Sequence, residues 1–392
     1  MNTGGKRNAI LFLVSQNLSL FGSQVVSYAI IWYITLKTSS GIWLMLSTVC
    51  SMLPQAVISV WGGVWADRYS RKTLIMLADG FIAVATLGLA AAFGAGFSHI
   101  GLLLAVSAVR SVGAGIQTPA VSAVYPQLVK PEQLTRVQGM NQALGSVCML
   151  IAPAVGGMIL GSAGIVWTFL VDVITACLAI LIMAAIPIPH RREETVHSSM
   201  AAELKQGIVY AIRHEHLRGI LICCACSYLL FTPAATMAPL LIERSYGSEV
   251  WRLITNQIVW GFGSIAGGIF VSLAPDLGKK TKVIAGSLIL LGLVFCLQGM
   301  SSGFLFYQVF VGLGGFILPF IVTNQTVFIQ ETADPAMLGR VFSLVQIISS
   351  AAMPAAILLF GPLADMVSVQ AILTVSGVLL ALTGVLYGRR NL

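Results

Sequence analysis

Charged residues cut this chain into long apolar runs. No Lys, Arg, Asp or Glu occurs within 8–36, 38–66, 80–109, 137–171, 219–242, 253–275, 283–330, 341–364 or 366–388. A helix needs about 20 apolar residues to cross the hydrocarbon of a bilayer, so each run holds a span and 283–330 holds two. The turn residues between them define twelve predicted spans: 8–36, 41–66, 73–94, 98–118, 138–161, 165–187, 218–242, 250–274, 283–300, 304–329, 341–364 and 369–388. The runs lack the alternation of polar and apolar residues that strands of a membrane barrel need. The pattern predicts an all-α membrane protein with twelve transmembrane helices.

Composition agrees: of 392 residues, 57% are hydrophobic and 9% charged, against about 25% charged in soluble domains. The net charge of +8 does not imply nucleic acid, because of where it lies. With the N-terminus inside, eighteen of the 22 Lys and Arg residues fall on the cytoplasmic side, Lys37, Arg244 and Arg252 fall outside, and Arg110 lies within a span. That bias satisfies the positive-inside rule and predicts a multi-pass protein of the inner membrane with both termini cytoplasmic. The first apolar run is too long for a signal-peptide core and reads as the first span. All seven cysteines fall in predicted spans, which fits neither a disulfide framework nor a zinc site. No metal or cofactor is expected.

The most polar stretch, 188–217, separates six spans from six and predicts an N-terminal bundle 1–187, a cytoplasmic linker and a C-terminal bundle 218–392. Within the linker, 199–214 has apolar residues at helical spacing, as in a short amphipathic helix on the inner membrane face. Its four histidines, at 190, 197, 214 and 216, are irregularly spaced and read as parts of a solvated basic segment. The halves repeat. Arg110, Gly113, Gly115 and Pro119 are echoed by Gly312, Gly314 and Pro319. Pro131, Arg136 and Gln142 are echoed by Pro335, Arg340 and Gln346, and Ser70 to Thr73 by Gly278 to Thr281. Such a duplication predicts two pseudo-symmetric six-helix bundles that rock about a substrate held between them.

Several residues carry candidate chemistry. Gly63, Asp67, Arg68, Arg71 and Lys72 cluster after the second span, where Gly63 would let two helices approach and Asp67 would pair as a conformational latch. Asp79, Arg110 and Asp172 lie inside spans. Intramembrane charges face a partner or a wet cavity, so these three are candidates for proton coupling, or for a structural ion pair and a hydrogen-bonded helix contact. Pro153, Gly156 and Gly157 predict a bend and close packing in the fifth span. Gln24, Ser27 and Tyr28 share one face of the first span, and Asn324, Gln325 and Gln346 are candidates for an opposite wall. The cavity is expected to be aromatic, Met-containing and weakly polar, suited to bulky apolar compounds, with no pattern that reads as a sugar or anion clamp.

The loop from Gly63 to Ile75 resembles the signature G-x-L-A-D-R-x-G-R-R/K-x-x-L of the major facilitator superfamily, departing at Trp65, Ser70 and Ile75. Arg110, Gly113 and Gly115 are similar to that family's second motif, and Pro153, Gly156 and Gly157 to a degraded antiporter motif. The Thr118, Pro119, Ala120 turn, the run from Pro131 to Leu134 and that from Leu338 to Ser343 look like its macrolide-efflux branch of drug–proton antiporters. The resemblance implies a monomeric secondary transporter, not an enzyme. It would export a small amphiphilic, macrolide-like compound in exchange for protons and contact membrane lipid. The branch also contains siderophore exporters, and a lysolipid exporter or a non-transporting sensor or assembly subunit is a further alternative.

Overall fold

A computed structural model describes residues 3–129, 131–187, 200–273, 278–334 and 337–391. Fourteen helices follow one another among these residues, with no strand: α1 (Thr3–Thr38), α2 (Gly41–Arg68), α3 (Arg71–Gly94), α4 (Ile100–Leu128), α5 (Pro131–Ser162), α6 (Ile165–Ala184), α7 (Met200–Arg213), α8 (Glu215–Thr236), α9 (Ala238–Tyr246), α10 (Val250–Leu273), α11 (Lys280–Met300), α12 (Phe304–Thr332), α13 (Leu338–Met366) and α14 (Val369–Asn391). Twelve of them are long and apolar enough to cross a membrane, all but α7 and α9. Helices are what such a sequence must form, because hydrocarbon offers no water to backbone N–H and C=O groups.

The predicted seventh span, 218–242, is divided between α8 and α9. Pro233 lies inside α8 and Pro239 opens α9. The chain turns between them at Met237, whose N–H still reaches Pro233 O at 2.9 Å. A proline cannot donate to the carbonyl four residues back, so the ladder stops and restarts. Helix α7 buries Ala211 against Leu221 of α8 and Leu344 of α13. It leaves Ile208, Val209 and Ile212 exposed. The tract 188–199, with His190 and His197, lies outside the described residues.

The chain forms two compact units, of residues 1–38, 46–195 and 249–254, and of residues 39–45, 196–248 and 255–392. The first turn of α2 is thus built into the second unit and the first turn of α10 into the first. In the first unit α1 packs on α4, α5 and α6, and α3 on α4 and α6. In the second, α11 packs on α12 and α14, and α8 on α13 and α14.

Glycine sets the closest crossings, and the internal repeat places them alike in both units. A Cβ on Gly115 of α4 would stand 2.9 Å from Gln55 O of α2, and one on Gly62 would meet α4 at Pro119 and Ile116. In the second unit a Cβ on Gly315 of α12 would stand 2.5 Å from Trp260 O of α10, and one on Gly263 would meet Phe316 of α12. Sequence reasoning assigned the close approach in α2 to Gly63. A Cβ there meets nothing within 4 Å, and Gly62 is the packed glycine.

The pair α11 and α14 shows how little space remains. A Cβ on Gly377 would lie 2.5 Å from Gly292 O and 2.9 Å from Cys296 N, whereas one on Gly286 in the same pair's helix α11 meets nothing within 4 Å. Overpacking such a contact costs about 1–3 kcal/mol. Gly377→Leu is therefore expected to lower the melting temperature of the purified protein in detergent, with Gly286→Leu melting as wild type. Equal melting of the two variants would contradict this packing.

Candidate substrate and coupling site

Helix α4 carries the charge at the centre of the first unit. Arg110 is buried and pairs through its guanidinium with the carboxylate of Asp172 from α6 and with the hydroxyl of Thr86 from α3. Asp172 also accepts from Thr86 Oγ1 at 3.0 Å and from Ser23 Oγ of α1 at 3.2 Å. Four helices therefore meet at one carboxylate. Gly22 makes this possible: a Cβ there would lie 3.0 Å from the Asp172 backbone and would collide with the Thr175 hydroxyl. Asp79 of α3 is a second buried carboxylate, accepting from Ser19 Oγ at 2.6 Å and Gln117 Nε2 at 2.8 Å.

Beside these groups lies a cavity of about 450 Å³. Gln24 and Ser27, both expected from the sequence, line it together with Arg110. Tyr28 does not. It turns toward Trp32, ring centroids 5.8 Å apart. Asn324 and Gln325 are buried in the second unit, where Asn324 Nδ2 donates to Phe320 O at 2.8 Å, and Gln346 donates to Ser350 Oγ at 3.1 Å. The lining also departs from the expected aromatic and Met-rich character: carboxamides and hydroxyls dominate it, and Tyr125 is its one aromatic residue.

One device opens α2 toward the cavity. Pro54 lies inside that helix, and Ser111 of α4 inserts its hydroxyl between Ser51 and Gln55. Ser111 Oγ donates to Ser51 O at 2.7 Å and accepts from Gln55 N–H at 2.9 Å. A side chain entering the helical ladder is a recognised cause of kinking, and here it leaves the Gln55 side chain on the cavity wall.

The signature loop acts through helix ends. Ser70 caps α3, accepting from Thr73 N–H. Arg71 is buried and donates to Ala66 O of α2 at 3.1 Å and to Ala123 O of α4 at 2.7 Å. Lys72 Nζ donates to Ala184 O and Ile186 O at the end of α6, at 2.7 and 2.8 Å. Cations at the orphan carbonyls of helix C-termini satisfy both hydrogen bonding and the helix dipole. Arg68 is exposed, and the side chain of Asp67 lies outside the described residues. In α5, Pro153 lies within the helix. Cβ atoms on Gly156 and Gly157 would meet Val25 O at 3.0 Å and the Trp32 ring at 2.6 Å.

Asp365 lies in the last turn of α13. Its carboxylate caps the first turn of α2, accepting from Gly41 N–H at 2.7 Å, Ile42 N–H at 3.0 Å and Ser40 Oγ at 2.8 Å. Arg244 bridges the same carboxylate at 2.9 Å and also holds Ser39 O. The start of α2 reads Ser39-Ser40-Gly41, and its capping carboxylate comes from 324 residues away. No local pattern reveals that.

The charge-paired polar cavity thus lies within one unit of a bundle whose helices are long and apolar enough to cross a membrane. The family model of the Major Facilitator Superfamily matches residues 12–357, and the chain belongs to that superfamily as a multi-pass membrane transporter. Macrolide efflux protein A of Streptococcus pyogenes is 29% identical over 93% of this chain and 91% of its own length. The staphyloferrin A transporter of Staphylococcus aureus is 23% identical over 85% of this chain and 84% of its own. The multidrug efflux pump Tap of Mycobacterium tuberculosis is 23% identical over 95% and 90%. Among solved structures, the POT family transporter PepTSo gives a TM-score of 0.73 over 98% of each chain at 11% identity. A bacterial homologue of the human lysosomal transporter Spinster gives 0.70 over 99% and 97% at 13% identity.

Removing one partner of a buried ion pair costs about 3–5 kcal/mol, because the other charge is left in a medium that cannot solvate it. Arg110→Met and Asp172→Leu are each expected to melt well below wild type, and the double variant to recover most of that loss. A double variant no better than the sum of the singles would contradict the pairing. Asp365→Ala removes a helix cap, which costs about 0.5–2 kcal/mol. Its melting temperature is expected to fall modestly, and to fall less for Asp365→Asn; unchanged melting of both would contradict the capping role.

Proposed function

We propose that the protein is a monomeric exporter of amphiphilic, macrolide-like compounds, driven by proton exchange across the inner membrane with both termini in the cytoplasm. The observation that carries this reading is the Arg110, Asp172 and Thr86 cluster beside a polar cavity in the first unit. A charge held in hydrocarbon persists where it pairs internally or faces a wet cavity, and this one pairs with Asp172 and lines the cavity. The macrolide and multidrug efflux relatives support the direction and the type of cargo.

In the proposed cycle the bundle 1–187 rocks against the bundle 218–392, joined by the linker 188–217. Protonation of Asp172 weakens its bond to Arg110 and frees the guanidinium and Thr86. Deprotonation restores the pair, so the cluster has two arrangements that the cavity's contents can bias. Asp79, held by Ser19 and Gln117, is the second candidate carrier. Asp67, Arg68, Arg71 and Lys72 latch the ends of the first bundle's helices.

A second reading, export of a siderophore, is favoured by the staphyloferrin A transporter among the relatives. Everted vesicles separate the two. A macrolide should accumulate in vesicles carrying the protein, and an uncoupler or Asp172→Asn should reduce accumulation about tenfold or more. Accumulation that an uncoupler leaves untouched would contradict proton coupling. A siderophore moved in place of any macrolide would establish the second reading.

A further inference from the structure

The chemistry of the cavity wall names what it recognises. Twenty-two residues line it. Seven carry carboxamides, among them Gln24, Gln55 and Gln117, and nine carry hydroxyls. Arg110 is the one charged lining residue, and Asp172 occupies it. The wall is therefore formally neutral and dense in groups that both donate and accept hydrogen bonds.

That composition discriminates among ligands. A cationic headgroup needs a carboxylate or an aromatic face, and the wall offers Tyr125 as its one aromatic ring. An anionic headgroup needs an arginine or lysine that is not already neutralised. A neutral headgroup bearing several hydroxyls is both donor and acceptor at each oxygen, and matches carboxamides and hydroxyls group for group. Asn17 is fixed in place, its Nδ2 donating to Leu13 O at 2.9 Å and Asn141 Oδ1 at 3.1 Å. The volume, about 450 Å³, lies in the range of small-molecule sites, about 300–1,000 Å³.

We infer that this cavity binds the uncharged, polyhydroxylated portion of an amphiphile, of the chemistry of a sugar, while the ligand's apolar portion lies elsewhere. The inference rests on the proposed export of amphiphiles for its physiological meaning, but it is tested by binding alone. Such a wall is not legible along the chain, because the contributing carboxamides lie on α1, α2, α4 and α5 and each helix taken singly shows only scattered polar residues.

Three probes with one alkyl chain and different headgroups decide it: octyl glucoside, octyl trimethylammonium and octyl sulfate, each below its micellar concentration. Binding to the full-length protein in lipid nanodiscs is read by saturable quenching of intrinsic tryptophan fluorescence. Octyl glucoside is expected to bind about tenfold more tightly than the other two, the equivalent of one or two net hydrogen bonds. Gln55→Leu and Gln24→Leu should each abolish that preference while leaving octyl trimethylammonium binding unchanged. Equal affinity for the three, tighter binding of the cation, or a preference that survives both substitutions would overturn the inference. Vesicles that export no macrolide would overturn the proposed function and leave this binding result standing.

Discussion

A charge in hydrocarbon must find its partner within the protein, and the first unit is organised around that requirement. Arg110 is buried on α4 and Asp172 sits 1% exposed on α6. Each would be costly to bury alone, and together with Thr86 and Ser23 they tie α1, α3, α4 and α6 to one point. The packing around the pair follows from it. Gly22 allows α1 to reach Asp172, and Gly113, where a Cβ would stand 2.6 Å from Ile82, allows α4 to press on α3. The small residues are needed because no hydrophobic effect drives helices together in lipid, and close van der Waals contact must replace it.

The same constraint explains the ends of the helices. Terminal carbonyls and N–H groups need partners wherever water is scarce. Arg71 and Lys72 supply donors to the ends of α2, α4 and α6, and Asp365 supplies an acceptor to the start of α2. Basic residues that a topology rule reads as simple surface charge thus become staples. Polar side chains in the interior likewise do structural service first. The Ser111 hydroxyl bridges the Ser51 carbonyl and the Gln55 N–H, the two ends of one rung of α2, beside the cavity that Gln55 lines.

Much of the fold was legible in the sequence because span length and charge spacing are one-dimensional properties. The twelve spans, the existence of a repeat between the halves, and the intramembrane Arg110 and Asp172 could all be read from the order of residues; the register of the repeat could not, since the crossing made by Gly115 is made in the second unit by Gly315 and not by Gly314. Membership of Arg110 and Asp172 in a single pair could not, since they are 62 residues apart. Packing faces were also hidden. Adjacent glycines 62 and 63 are equivalent in sequence, and only the crossing with α4 distinguishes them. Tyr28 shares a helical face with Gln24 and Ser27 and yet turns to Trp32. The break at Met237 was foreshadowed by Pro233 and Pro239, which length counting alone overlooked.

A buried charge pair beside a polar wall requires that the amide- and hydroxyl-lined cavity at Arg110 hold water while the outer faces of the same helices meet lipid. Single cysteines placed in a background free of the seven native ones test this in intact membranes with a membrane-impermeant, charged thiol reagent. Cysteines at Gln55 and Ser122 on the cavity wall should react readily in everted vesicles, and cysteines at the exposed apolar positions Val84 and Leu181 should not. Protection of Gln55 and Ser122 together with labelling of Val84 and Leu181 would contradict the account.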